Sequence, residues 1–181
     1  MVRVTALVAL ALTAWGMPRT AISNEGCATS VPEHVRISDC RIASALQGGL
    51  VRSPSLRTLV ARLAELKGLI FVSLTTQRLS SGIAGGLSHK VVVAGERLVL
   101  HVVIARDYAY NDRIVVTMAH EFRHAVEVLE HSDARNEAKV DALYRRIGYV
   151  TGAGVVETEA ALEMGRLVAE ELKQDAKSKR R

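Results

Sequence analysis

Apolar residues recur at three- and four-residue steps through Ile114, Val115, Met118, Phe122, Ala125, Val126 and Leu129, which predicts one long amphipathic helix. Asn111 or Asp112 stands where an N-cap is needed, and His131-Ser132-Asp133 supplies a polar break at the far end. Upstream, Ser53-Pro54 opens a helix to about Lys67, with Leu56, Leu59, Val60, Leu63 and Leu66 on one face. The run Leu69 to Leu74 is short and rich in β-formers. A turn follows at Gly82 to Gly86, then a second strand over Leu87 to Val93. Ala94-Gly95-Glu96 turns the chain into Arg97 to Ile104, the third and longest strand. Two further helices are predicted, from about Asp133 to Ile147 and from about Val156 to Leu172, with a glycine-bearing loop between them. The pattern predicts one α+β domain: a small, largely antiparallel sheet packed on helices.

The flanks divide differently. Residues 22–53 read as an irregular arm punctuated by Gly48-Gly49, residues 54–173 as the domain, and residues 174–181 as a basic disordered tail. Residues 1–21 read as a secretory signal: Arg3 precedes fourteen uncharged residues, Val4 to Met17, before Pro18-Arg19. That run is too short for a bilayer span, and Ala14, Gly16 and Ala21 are small residues near a possible cut. The expectation is therefore an exported protein with no stable membrane insertion after signal cleavage. Its two cysteines, Cys27 and Cys40, are then expected to form one disulfide.

Composition narrows the partners. The chain of 181 residues is 49% hydrophobic but only 4% aromatic, so its core should be built from Val, Leu, Ile and Ala. Loss of Arg3 and Arg19 with the signal lowers the formal charge from +5 by two, to +3, and much of that excess lies in the tail from Lys173 to Arg181. No basic patch with base-reading residues is evident, so a nucleic-acid partner is not expected.

The long helix carries His120-Glu121-Phe122-Arg123-His124, an H-E-x-x-H pattern. Residues four apart on a helix sit one turn above each other, so both imidazoles face one space and can chelate a zinc ion. Glu121 is then placed to accept a proton from a water activated there. A stable catalytic zinc site takes a third protein ligand. The metzincin solution fails, because Glu127 and Glu130 stand where glycine and histidine would be needed. Glu137, Asp141, Glu157 and Glu159 remain. Glu157 precedes Ala160, Ala161, Met164, Leu167 and Val168 at buried-face spacings, whereas Glu159 aligns with Glu163, Arg166 and Glu170 on the wet face. A carboxylate opening a buried stripe needs a partner such as zinc. Asp141 stays open, since Asp141-Ala142-Leu143-Tyr144 is similar to part of the aspzincin signature.

The constellation resembles the zincin metalloproteases, and among them the gluzincins. It is similar, more closely, to a group of short exported bacterial proteins of largely unassigned function. The likeness rests on residues 120–127, on Leu143-Tyr144-Arg145-Arg146-Ile147-Gly148 and on Glu157-Thr158-Glu159-Ala160-Ala161, and covers about residues 54 to 172. It implies His120, His124 and Glu157 on zinc, Glu121 as general base, and a peptide or protein substrate. Tyr144 or Tyr149 is the expected second donor to the oxyanion. The strand Arg97–Ile104 is the expected edge for pairing with extended substrate, and His101 on it is expected to be a sheet-surface residue. A non-catalytic zinc-binding module and a hydrolase of cell-wall amides are the competing functions.

Overall fold

The computed structural model describes residues 31–75, 84–106, 112–151 and 155–181. The expected signal segment, residues 22–30 of the arm, Cys27 and Asn111 lie outside the described residues.

The remainder of the arm is not irregular. Val35–Ile37 forms strand β1 and Cys40–Arg52 forms helix α1, capped by the Asp39 carboxylate, which accepts from the Arg41 backbone N–H. Gly48-Gly49 reads as a break, yet both residues are helical. At Gly49 a Cβ would lie 2.4 Å from Val115 and 2.9 Å from Leu56, so the glycine there serves close packing and not a turn. Helix α2, Pro54–Glu65, begins where expected: Ser53 accepts from the Leu56 N–H, and Leu56, Leu59, Val60 and Leu63 are buried.

Strands β2 (Gly68–Thr75), β3 (Gly85–Leu87), β4 (Val92–Ala94) and β5 (Arg97–Ala105) join β1 in one sheet of order β1-β2-β5-β3, with β4 also on β5. The sheet is mixed, not largely antiparallel. β2 runs parallel to β5 from Gly68↔Leu98 to Thr75↔Ala105, β1 runs parallel to β2, and only β3 and β4 pair antiparallel with β5. Parallel neighbours need a long connection that returns the chain to the same end. Residues 76–96 supply it, and β3 and β4 lie within them; the interruption at residues 88–91 splits the single strand expected over Leu87 to Val93.

Strand alternation decides which face is covered. Ile70, Val72, Leu98, Leu100, Val102 and Ile104 are buried in the core beneath the helices. Phe71 and His101 are exposed and stack with ring centroids 5.4 Å apart, so His101 is the expected sheet-surface residue. Helices thus cover one face, giving a two-layer α+β fold.

Helix α3, Asp112–Glu130, runs through this layer and buries Ile114, Val115, Met118, Phe122, Ala125 and Val126. Helix α4, Glu137–Ile147, is capped by Asn136 and followed by a small hairpin of β6 (Tyr149–Val150) and β7 (Val156–Glu157). Helix α5, Glu159–Ser178, is capped by Thr158 and continues into the expected tail. Buried Leu172 and a bond from Arg52 to Asp175 anchor its last turns. Among the described residues no helix is long and apolar enough to cross a membrane.

Candidate metal centre

α3 places His120 and His124 one turn apart, with ring centroids separated by 4.8 Å. Glu157 approaches both from β7: its Oε1 lies 2.8 Å from His124 Nε2 and 3.1 Å from His120 Nε2. One ligand atom from each of the three residues falls within 4.8 Å of the others, so the group could hold a metal ion. Helical periodicity places Glu157 on the buried face of the last helix. It sits instead in β7, just before the Thr158 cap, and is delivered by backbone pairing with Tyr149. Glu159 is exposed at the first position of α5, Glu137 is exposed, and Asp141 lies outside the metal group.

Close packing of the hairpin on α4 fixes where Glu157 arrives. A Cβ on Gly148 would lie 2.8 Å from the Glu157 carbonyl and 2.9 Å from that of Tyr144, so no side chain fits between them.

The electrostatics are those of a cation site. Glu121, Glu127 and Glu157 bring three carboxylates together, and Glu121 and Glu127 are each 5% exposed. Burial raises the Glu121 pKa; positive charge on His120 and His124 and a hydrogen bond from the Leu87 backbone N–H oppose that, while Glu157 adds to it. Burial disfavours the His124 cation, but hydrogen bonds to Glu127 and Glu157 outweigh it and raise the pKa to about 9. Burial likewise works against the Glu157 anion, and hydrogen bonds from His120 and His124 overcome it, lowering the pKa to about 2. Without metal, therefore, an imidazolium–carboxylate pair fills the space where a cation fits. Two imidazole nitrogens and a carboxylate oxygen are a donor set that such a cation accepts.

The group opens into a cavity of about 750 Å³, bordered by β3 and α5. Tyr144 also lines it but does not offer its proton there. Its hydroxyl donates to the His124 carbonyl at 3.0 Å, and burial, with the surrounding carboxylates, pushes its pKa up. The expected oxyanion role for Tyr144 therefore gives way to that of a prop beneath the motif helix. Tyr149 is 48% exposed and is not among the cavity's lining residues.

A third histidine, missed in the sequence, lines the cavity. The His89 ring stacks on Tyr144 with centroids 5.1 Å apart, and its Nδ1 donates to Asp141 at 2.5 Å. Asp141 thus supports a histidine instead of a metal. Nothing around His89 marks it locally; the signal was Asp141, an acid singled out in the sequence without its partner. Glu127 was likewise given no role, although it lies three residues after His124 and on the same stripe. Its Oε2 accepts from His124 Nδ1 at 3.0 Å, and its Oε1 accepts from the Thr158 hydroxyl at 2.7 Å.

No protein-family model matches the sequence, and no curated protein or solved structure shows significant similarity to it.

Proposed function

We propose that this protein is an exported zinc-dependent peptidase of the gluzincin kind. The observation that carries the reading is Glu121. It is buried at the cavity, directly after the first histidine, and among the described residues no side chain hydrogen-bonds to it. A site serving structure alone has no use for such a carboxylate.

His120 and His124 would bind zinc through Nε2, and Glu157 through its carboxylate. Bound zinc supplies Lewis acidity, which polarises a carbonyl and lowers the pKa of water to about 7. Glu121, its pKa raised by burial, accepts the proton of the attacking water and returns it to the leaving nitrogen. The Leu87 N–H on β3 favours the ionised form of that carboxylate. His89, held by Asp141 through Nδ1, lines the same cavity and is the side chain that would donate to the developing oxyanion in place of Tyr144.

Substrate placement also shifts. β5 is paired on both sides, with β2 on one and β3 and β4 on the other, so it cannot add a peptide strand. Among the described residues β3 is the sheet edge that borders the cavity, and an extended peptide would pair there.

The test combines metal analysis of the purified protein with turnover of a generic unfolded protein. The expected result is bound zinc and hydrolysis in the wild type, with zinc retained and hydrolysis lost in Glu121→Gln. Zinc without turnover favours a binding module. Release of peptidoglycan fragments without proteolysis favours the cell-wall amide reading.

A further inference from the structure

We propose that Glu127 is a positioning residue that locks together the two halves of the metal site, an inference that rests on the metal-binding reading of His120, His124 and Glu157. Its carboxylate is almost wholly buried, a placement that is costly unless both oxygens are used. Both are, and by different elements: Oε2 serves His124 within α3, and Oε1 serves Thr158 at the start of α5. Arg123 adds an ion pair, its nitrogen 3.9 Å from Oε1 and beyond hydrogen-bond reach, so the bonds to His124 and Thr158 are what orient the carboxylate.

The His124 bond sets the tautomer. With Nδ1–H donated to Glu127, Nε2 is the nitrogen left to act as ligand, and it faces Glu157 and His120. The reverse tautomer would aim a lone pair at the Glu127 carboxylate. A second carboxylate behind the imidazole also raises its basicity as a ligand.

The Thr158 bond sets the third ligand. Its hydroxyl has a single proton, which goes to Glu127, while its oxygen accepts from the Ala161 N–H at 3.2 Å as the cap of α5. The side chain is thereby fixed at both ends, and Thr158 directly follows Glu157. One carboxylate on α3 therefore orients a ligand of its own helix and the residue adjoining the ligand brought by β7. It makes a site assembled from distant parts of the chain ready before metal arrives.

The experiment measures zinc and cobalt(II) affinity of the full chain and its Glu127→Gln, Thr158→Val and Thr158→Ser variants. Gln keeps the size but not the charge, and can accept from only one of the two partners. Affinity should fall about 10- to 100-fold in Glu127→Gln, the usual range for loss of a ligand's outer partner. Thr158→Val should also weaken binding, and Thr158→Ser, which restores the hydroxyl, should recover it. The cobalt(II) visible spectrum should change in Glu127→Gln and Thr158→Val alone. Wild-type affinity and spectrum in both of those variants would overturn the proposal while leaving the metal site standing. A wild type that binds neither metal overturns the site itself and this inference with it. The Val and Ser pair at Thr158 decides the matter even if Glu127→Gln does not fold.

Discussion

Glu157 and Glu159 differ by two positions and share charge and neighbourhood, yet one faces two imidazoles and the other faces solvent. Glu157→Ala should weaken zinc binding by more than about 100-fold, beyond what loss of an outer partner costs, whereas Glu159→Ala should leave it unchanged. Direct titration of both variants checks this; equal affinities would show that a helix-start charge effect had been mistaken for ligation. His120, Glu121 and His124 were legible because their chemistry is written within one helical turn. Glu157 was found for a partly mistaken reason: its buried side was read correctly, but the element carrying it was not. His89 was illegible, since its meaning comes from Asp141 and Tyr144, which lie far along the chain.

At the scale of elements, the long amphipathic segments declared themselves and the short pieces did not. α2, β5 and α3 follow from apolar periodicity and caps. β6 and β7 are two residues each, too short for any period to register. α1 was hidden by its glycine pair, because a glycine placed for packing looks in sequence like one placed for a turn. The β6–β7 hairpin nonetheless carries the carboxylate of the candidate metal group, and its seat on α4 is exacting. Gly148→Ala should therefore destabilise the protein by about 1–3 kcal/mol, the range for overpacking, and weaken zinc binding as Glu157 is displaced. Gly48→Ala is the control: nothing lies within 4 Å of a Cβ there, and alanine in mid-helix should be neutral to stabilising by about 1 kcal/mol. Thermal unfolding and zinc titration of the two variants test the contrast, and similar behaviour at both positions would refute it.

For the whole molecule, the charged groups of the site tie stability to pH, and a metal bound there would add a second dependence. His124 has its pKa raised from 6.5 to about 9 in the metal-free fold. Its contribution is fully present below the unfolded value and is lost as pH rises through about 9. Glu157 is lowered from 4.5 to about 2, so its contribution is present above pH 4.5 and lost as pH falls through about 2. The two overlap fully between 4.5 and 6.5, the window in which this pair most favours the metal-free fold. Zinc bound by this group would act in the opposite sense, because it would displace a proton from His124. Apparent affinity should climb about tenfold per pH unit until His124 titrates. Melting curves with zinc and with a chelator, at about pH 5.5 and about pH 8, separate the two effects. With chelator, the contribution of this pair predicts a higher melting temperature at the lower pH. Zinc at about 100 times its dissociation constant should add about 2.7 kcal/mol, so at one fixed zinc concentration its increment should be much larger at pH 8. A zinc increment independent of pH would show that binding displaces no proton, and that the imidazolium–carboxylate pair is not what the metal replaces.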